Sequence, residues 1–356
     1  MTKPIIVTGL DISSSKISAV AAAVYGRDSF NILAYESQPS KGISRGVFVD
    51  ISEASNSTAR VLDKLGAKLG RRPDNIYANI SGESINGEKS KGMIPLSSRG
   101  REVTNSDILK CINAASTIRL TFDREVIHKI VLNFSIDDQP AVKNAFGLYA
   151  SRLYCEMYMI TANLNHIQNI YKCVNDAGYD LEEVCYSGIA DGSSLLEDAW
   201  KEEGVVLIDM GASLTELSVF SAGALTYLDV ISAGAKDVKV PLKENAEFEK
   251  ITSRLKSNIE EFLKKGGSIK SIIITGGLSF SEGTAEILEE RLGFPVKMGI
   301  VKNVQGNISS TDSLRAVTAI GLARYAALNL QPKTAQARNI AQNISNKVVE
   351  IFNNYF

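Results

Sequence analysis

The sequence has few of the residues that build metal centres and disulfide frameworks. Its four cysteines lie far apart and form no C-x-x-C pair, so neither a zinc site nor a disulfide framework is predicted. The only two histidines, His128 and His166, have neither a second histidine nor a paired acid close by in the sequence. We therefore expect no metal site built from these residue types. The cysteines are Cys111, Cys155, Cys173 and Cys185.

The sequence also lacks an excess of either charge and any long apolar run. Lys and Arg total 39 and Asp and Glu total 40, so the basic surface of a general nucleic-acid-binding protein is not expected. No apolar run approaches the roughly 20 residues of a membrane-spanning helix. The run at residues 5–7 is too short for a signal peptide. We expect a cytoplasmic protein without a nucleic-acid partner.

The length and composition predict a folded protein with more than one domain. At 356 residues the chain exceeds what one hydrophobic core usually serves. Hydrophobic residues at 44% and charged residues at 22% are ordinary for globular proteins, which argues against global disorder.

A hairpin pattern with an acid at its tip occurs twice. The stretch Val205–Phe220 reads as a buried strand ending in Asp209, a tight loop of small residues and a half-buried strand. The stretch Ile5–Val24 has the same layout, with Asp11 at the equivalent place. Both copies continue through a glycine-containing turn into a third strand. Two such repeats so far apart predict two similar lobes that face each other.

The remaining chain alternates predicted helices and strands, and one segment with many glycines and serines interrupts this pattern. That segment runs from Glu83 to about Ile160, and we interpret it as an inserted subdomain, with a helix that Thr104 or Asn105 can cap. The residues Val184–Leu196 are expected to return to the second lobe. Further predicted elements are helices at Ser52–Leu69, Asn163–Ala177, Ala246–Leu263, Thr284–Leu292 and Ser313–Leu328, and strands at Ile76–Ile80, Glu125–Asn133, Tyr154–Thr161 and Ile269–Thr275.

The two hairpin tips are suited to binding a nucleotide. Glycine and serine amides after a strand can face phosphate oxygens, while the carboxylate holds a cation or its waters. The turn after Thr275 could accept the adenosine end. The alternative is a pair of β-meanders with surface acids. The candidate nucleotide-binding residues are Asp11, Ser13, Ser14, Ser15, Lys16, Asp209, Gly211, Ala212, Ser213, Thr215, Gly276, Gly277 and Ser279, and Asp11 and Asp209 would hold Mg²⁺ indirectly, together with ATP.

These motifs resemble a known superfamily. Gly9-Leu10-Asp11-Ile12, Asp209-Met210-Gly211 and Ile274-Thr275-Gly276-Gly277 occur in the order typical of actin-like ATPases. Within that superfamily, four segments resemble the FtsA family of bacterial cell-division proteins, and the resemblance extends to about Leu328. The segments are Ser40–Asp50, Ile80–Gly82, Arg99–Thr104 and Ala145–Leu153.

The resemblance implies an α/β fold with two actin-like lobes, each a ribonuclease-H-like domain, and an inserted α+β subdomain. It also implies a cytoplasmic protein, peripheral on the inner face of the cell membrane, that self-associates into filaments, anchors FtsZ filaments and recruits other division proteins. The implied domains are residues 1–82 for the first lobe, 83–160 for the insertion, 161–330 for the second lobe and 331–356 for a linker and C-terminal amphipathic helix.

Three departures from the family pattern bear on nucleotide binding. Ser13 stands where the family usually has glycine. The stretch Gly211–Glu216 lacks two glycines and a hydroxyl-bearing residue that the family usually has there, and it ends in glutamate where the family has the shorter aspartate. The stretch from about 234 to 275 is too short for the small subdomain that the family carries there. That subdomain supplies one wall of the adenine pocket and the groove for the FtsZ tail. We therefore expect weak or absent ATP binding and no significant hydrolysis.

The C-terminal segment predicts an amphipathic helix. Its apolar residues recur at spacings of three and four, which places them on one helical face, and asparagines and a lysine take the other face. Such a helix can lie in the headgroup region of a membrane. Docking on its own or a neighbouring domain is the alternative. The predicted membrane-binding residues are Ile340, Ile344, Val348, Ile351, Phe352, Tyr355 and Phe356.

The sequence therefore predicts a divergent, shortened FtsA-like scaffold. One alternative is a scaffold of pilus assembly similar to PilM, which also carries Asp-x-Gly-Ala in its second loop. The other is a small-molecule kinase of the actin fold, which requires a catalytic aspartate that the sequence does not place.

Overall fold

The computed structural model describes residues 4–25, 30–239 and 241–329. The first elements are β1 (Ile5–Ile12), β2 (Lys16–Val24), β3 (Phe30–Pro39), β4 (Ile43–Ser44), β5 (Val47–Phe48), α1 (Ile51–Leu69) and β6 (Ile76–Ile80). They are followed by β7 (Asn86–Pro95), β8 (Arg101–Glu102), α2 (Asn105–Ala115), β9 (Arg124–Ile136), β10 (Tyr149–Ala150) and β11 (Arg152–Asn163). The rest comprises α3 (Leu164–Asp176), β12 (Leu181–Tyr186), α4 (Ser187–Leu195), α5 (Asp198–Glu203), β13 (Val205–Met210), β14 (Thr215–Ser221), β15 (Ala224–Ile231), α6 (Ala246–Lys264), β16 (Ser271–Thr275), α7 (Thr284–Leu292), β17 (Val296–Met298), β18 (Gln305–Gly306), α8 (Ser310–Arg315) and α9 (Val317–Asn329).

Two sheets share one strand order and one set of directions. The first runs β12-β6-β1-β2-β3, with β18 added beyond β3, and the second runs β17-β16-β13-β14-β15. In each, three antiparallel strands that are consecutive in the chain are followed by two parallel strands. The duplicated hairpins predicted from the sequence are thus the centres of two equivalent α/β sheets.

The lobe boundary predicted at residue 161 is wrong for part of the chain. Strand β12 pairs with β6, so it belongs to the first sheet, and the segment Val184–Leu196 does not enter the second lobe at once. Strand β18 and helix α9 also contact the first sheet. The predicted helix Ser313–Leu328 is broken at Ala316 into α8 and α9. Hydrophobic periodicity reports which residues are buried but not which sheet they join, because strand partners are chosen over long range.

Helices α4 and α9 join the lobes through very close contacts. A Cβ added at Gly9 of β1 would lie 2.0 Å from the Ala319 oxygen of α9. A Cβ at Gly321 of α9 would lie 1.9 Å from the Ala190 oxygen of α4, and Gly188 brings α4 equally close to β14. Since real side chains do not fit at such distances, glycine is required at each layer of this junction. The junction therefore fixes how the two sheets face each other.

The inserted segment forms a separate layer between β6 and α3. Strands β7, β11 and β9 make a three-stranded antiparallel sheet, and α2 packs against it. Strand β7 was not predicted, because Gly87 and Gly92 resemble strand breaks. They are points of contact instead: Gly92 lies against the α2 backbone, and Gly87 against the ring of Tyr158.

The connection from β15 to β16 is short. Across residues 232–239 and 241–270, the structure contains one 3₁₀ turn at residues 242–244, helix α6 and no strand. Among the residues that the structure describes, every helix is too short or too polar to cross a membrane.

A buried acid at the start of α2 provides a test of the inserted layer. Asp107 accepts two hydrogen bonds from Arg101, at 2.6 and 2.7 Å, and forms a capping box with Thr104. The Arg101 guanidinium is the main reason why the pKa of Asp107 lies well below its usual range.

We predict that Asp107→Asn lowers the free energy of unfolding by about 1–3 kcal/mol at pH 7, since it weakens the cap and the charged hydrogen bonds. Because the pKa is lowered in the folded state, the difference should shrink as the pH falls below about 4. Urea unfolding at several pH values measures this. Asp312→Asn is the matched control, because Asp312 caps with Ser309 in the same spacing but at the surface. Equal losses in the two variants would contradict the prediction.

Candidate functional site

The two hairpin tips line one cleft between the lobes. Its volume is about 480 Å³, and the turn that follows β16 closes one side. The predicted residues that line it are Asp11, Ser13, Ser14, Ser15, Lys16, Asp209, Gly211, Ala212, Ser213, Gly276 and Gly277. The remaining two are not among the lining residues. The hydroxyl of Thr215 donates to the Ala233 oxygen at 2.9 Å and that of Ser279 to the Gly276 oxygen at 2.6 Å, so they hold the loops in place.

Asp11 is held by side chains from three elements. It is buried at the end of β1, where Asn79 of β6 donates to Oδ1 at 3.2 Å and Ser18 of β2 donates to Oδ2 at 3.3 Å. Lys16 Nζ lies 3.6 Å from Oδ2, and the Ser13 hydroxyl also donates to this carboxylate. The serine that replaces the expected glycine thus contacts the acid directly. This carboxylate is fixed in one orientation before any ligand enters.

Asn79 connects this carboxylate to the lobe junction. Its Nδ2 also donates to Ser187 Oγ at 3.2 Å, at the start of α4, and its Oδ1 accepts from the Ile12 amide at 2.7 Å. A side chain with both donor and acceptor atoms is needed to make these bonds.

The mouth of the cleft is bridged from lobe to lobe. Arg45 of the first lobe donates to the Ser232 oxygen at 3.2 Å and lies 3.4 Å from Asp237. From the other side, Lys236 Nζ donates to the Ser14 oxygen at 3.4 Å. These contacts hold the lobes in a closed arrangement.

Asp209 and Glu216 line the cleft with Asp11, and Asp191 lies close enough to interact with their charges. Asp209 ends β13, and Glu216 stands directly opposite it on β14. Asp191 projects from α4 and is only 1% exposed. Like charges directly opposite one another in a sheet are destabilising, and burial increases that cost.

The pKa values of these acids are raised. Burial, with Asp11 adding to it and Lys16 opposing it, raises the pKa of Asp209 to about 6. Burial and the Asp209 charge raise the pKa of Glu216 to about 8. Burial, followed by the Asp209 charge, raises the pKa of Asp191 well above its ordinary value. These shifts favour the protonated, uncharged forms of the three acids. The basic side chains that line the cleft are Lys16 and Arg315.

Sequence reasoning missed several residues in the cleft or close to it. Asp191 is a lone acid within a helix of small and apolar residues, a pattern that indicates a buried carboxylate. Glu216 was noticed as a departure but not placed in the site, and the structure buries it together with its neighbours on β14. Asn79 and Phe280 gave no signal, because only the fold brings them to the cleft.

The two histidines have structural roles. His128 Nε2 accepts from the Tyr186 amide at 3.0 Å, and His166 Nδ1 lies 3.2 Å from the Ser84 hydroxyl. In the described part of the chain, His, Cys, Asp and Glu form no group of three or more that is placed to hold a metal directly. The predicted membrane-binding residues from Ile340 to Phe356 lie outside the described residues.

Comparison with known proteins finds similarity in the inserted layer and along the whole chain. Residues 82–161 match the model of the SHS2 domain inserted in FtsA. The cell-division protein FtsA of Pseudomonas aeruginosa is 26% identical over 371 residues, covering 90% of this chain and 88% of that protein. The FtsA of Borreliella burgdorferi is 27% identical over 396 residues, covering 96% and 95%. The chain is thus similar to FtsA. Since the relatives match along nearly its whole length, the similarity extends over both lobes and the insertion.

Solved structures confirm the predicted actin-like fold. A chain of the PilM-PilN type IV pilus biogenesis complex superposes with a TM-score of 0.66 at 15% identity, covering 90% of this chain and 98% of that one. The ethanolamine utilization protein EutJ of Carboxydothermus hydrogenoformans gives 0.51 at 13% identity, with 91% of each chain covered. At these identities the likeness concerns the fold alone. The chain therefore has the two-lobed actin-like architecture with an SHS2 insertion.

The turn after β16 provides a matched pair of glycines for testing the cleft. A Cβ at Gly276 would lie 2.2 Å from Asp209 Oδ1, and the backbone there has φ +87°. A Cβ at Gly277 would have no neighbouring heavy atom within 4 Å.

We predict that Gly276→Ala lowers the free energy of unfolding by more than about 1 kcal/mol, through backbone strain and displacement of Asp209. Gly277→Ala should change it by less than about 0.5 kcal/mol. Chemical denaturation of both variants measures the difference. Indistinguishable stabilities would mean that the turn does not approach Asp209 as described.

Proposed function

We propose that this FtsA-like protein is a cytoskeletal scaffold of cell division that self-associates and tethers FtsZ filaments to the inner face of the cell membrane. The observation that carries the proposal is an SHS2 insertion of the FtsA type between β6 and α3 of an actin-like fold. Relatives that align along nearly the whole chain are cell-division proteins. The role in division therefore rests on both the insertion and the full-length similarity.

The cleft is the proposed site for ATP with Mg²⁺, and binding there is weak. Carboxylates of both lobes and the loop amides after β1 and β13 support the proposal, because they suit a cation and phosphates. The short β15–β16 connection supports a low affinity for ATP, since it leaves little protein to enclose the adenine ring. Ser13, Ala212 and Ser213 also place side chains where glycine would allow closer approach. We propose no significant hydrolysis.

Self-association is proposed to involve the inserted layer. Large apolar side chains are exposed there, including Phe122 at 98%, Phe146 at 54% and Tyr149 at 75%. Exposed apolar groups of this size favour contact with another protein surface.

Membrane attachment is proposed for the C-terminal segment. Its apolar stripe, with three aromatic residues near the end, suits an interfacial helix, and the paucity of lysines predicts modest attraction to anionic lipid.

A PilM-like role in pilus assembly is the alternative that the structural comparison favours, because a chain of the PilM-PilN complex shares the fold over most of its length. A fluorescent fusion distinguishes the two roles. We expect it to localise at midcell, and localisation with pili would favour the alternative.

We predict that deleting residues 336–356 releases the protein from anionic vesicles in a co-sedimentation assay, because the apolar stripe is lost. Ile344→Asp should weaken binding in the full chain, whereas Asn346→Asp, which adds the same charge to the polar face, should have a much smaller effect. Unchanged sedimentation of the deletion variant would reject the membrane role of this segment.

We predict that ATP with Mg²⁺ raises the melting temperature only slightly at millimolar concentration, relative to Mg²⁺ alone. Stabilisation grows as RT ln(1 + [L]/Kd), so a ligand near or below its Kd adds less than about 0.5 kcal/mol. Asp209→Asn is the control, and it should abolish whatever shift ATP produces. A shift of many degrees in the unaltered protein would show that another part of the chain replaces the missing wall.

We predict that the protein binds FtsZ directly, and that the short second lobe makes the affinity lower than it would be with the complete subdomain. Immobilised FtsZ C-terminal peptide should retain the full chain, and a scrambled peptide of the same composition should not. Equal retention on the two peptides would remove FtsZ tethering from the proposal.

A further inference from the structure

A second cavity lies where the insertion meets both lobes, and it shares no lining residue with the interlobe cleft. Its volume is about 440 Å³. Residues 127–132 of β9 line it, together with α5, the turn at residues 222–224 and the end of α9. We call this cavity the β9–α9 groove. Strand β9 is an outer strand of the insertion's three-stranded sheet, and such a strand is suited to docking a further chain segment.

Helix α9 ends at this groove. Tyr325, Leu328 and Asn329 all line it, and Asn329 is the last residue of the helix. The apolar side chain of Leu328 is 45% exposed. The Nδ2 atom of Asn329 is buried and has no hydrogen-bond partner within the described ranges. Since buried polar atoms in folded proteins are nearly always paired, this amide indicates that an acceptor docks beside the end of α9.

The groove carries no excess of either charge. Three lysines and three acids line it. Four of these six form ion pairs, Lys143 with Glu202 and Lys201 with Asp198. Because the lysines are balanced by acids, an anionic ligand such as a phosphate group gains little attraction there. The groove instead suits an apolar segment with little net charge and with backbone carbonyls to offer.

The segment that follows α9 has this chemistry. Residues 340–356 carry the apolar stripe, and their charged side chains are one lysine, Lys347, and one glutamate, Glu350. Residues 330–339 connect the stripe to Asn329, and ten residues reach at most about 36 Å. A short tether of this kind keeps the segment at an effective concentration on the order of millimolar next to the groove. This continuity favours the chain's own segment over a separate partner.

We propose that residues 340–356 dock in the β9–α9 groove when the protein is not bound to a membrane. Apolar side chains of the segment cover Leu328, and one of its backbone carbonyls accepts from Asn329 Nδ2. The apolar stripe thus has two competing hosts, the groove and lipid. The proposal rests on the membrane role proposed for this segment only in its effect on vesicle binding, because docking is measured without lipid.

Competition between the two hosts makes the groove a regulator of membrane attachment. The apparent affinity for lipid is the intrinsic affinity multiplied by the undocked fraction. A segment that is docked most of the time therefore binds vesicles less tightly than an undocked one. Loss of docking should strengthen membrane binding.

The first test is hydrogen exchange of the full chain without lipid, compared with the chain that lacks residues 336–356. Amides of residues 127–132 and of the end of α9 should exchange at least about fivefold faster in the deletion variant. Amides of α1, which does not line the groove, should exchange equally in both proteins. The protection in the full chain should not depend on protein concentration, and anionic vesicles should remove it.

The second test is co-sedimentation of Leu328→Gln with anionic vesicles. This variant should bind at least about threefold more tightly than the unaltered protein, because its segment is less often docked. Ile300→Gln is the matched control. Ile300 is 64% exposed and lies outside the groove, so this variant should bind like the unaltered protein.

Three results would overturn the proposal. They are equal exchange at residues 127–132 in the full chain and the deletion variant, protection that grows with protein concentration, and unchanged or weaker vesicle binding by Leu328→Gln. Concentration-dependent protection would assign the groove to a second copy of the chain. Protection that depends on residues 336–356, together with vesicle binding that does not, would count against the membrane role alone. Vesicle binding that requires these residues, with equal exchange in both proteins, would count against docking alone.

Discussion

The approach of two carboxylate-tipped hairpins across one cleft is the constraint on which the structure depends. Asp11 and Asp209 end equivalent strands of equivalent sheets, Glu216 lies opposite Asp209, and Asp191 is close enough to interact with these acids. Such a concentration of buried acids costs free energy unless the rest of the fold forces it. The close contacts at glycines hold the two sheets at a fixed separation and so keep these acids near one another. They run from β1 to α9, from α9 to α4 and from α4 to β14.

The short second lobe and the FtsA-type insertion alter this scaffold in opposite ways. The connection from β15 to β16 contains little beyond α6, so a ligand in the cleft has less protein around it on that side. The insertion adds a sheet, a helix and exposed apolar side chains remote from the hairpin tips. This contrast is the reason why we propose weak ligand binding in the cleft together with assembly through the insertion.

Much of the fold could be predicted from the sequence because its signals are local. The hairpins at Ile5–Val24 and Val205–Phe220 carry their own alternation and turns, and Thr104, one of the two predicted caps of α2, is the cap in the structure. Strand β7 was missed because its glycines serve contacts with α2 and Tyr158, which lie far away in the sequence. Membership of β12 in the first sheet and the positions of Asp191 and Glu216 are likewise decided by long-range packing. The fold brings together the acids predicted at the hairpin tips, and it also sets how close Asp191 and Glu216 lie to them.

A double-mutant cycle on Asp209 and Glu216 tests the central claim most directly. The free energy of unfolding is measured at pH 8.5 without divalent cations for the unaltered protein, Asp209→Asn, Glu216→Gln and the double variant. We predict that each single substitution stabilises the protein and that the double variant gains less than the sum, because removing either charge already relieves their mutual repulsion. Single variants that are both destabilised, with strictly additive effects, would contradict an account built on opposed buried charges.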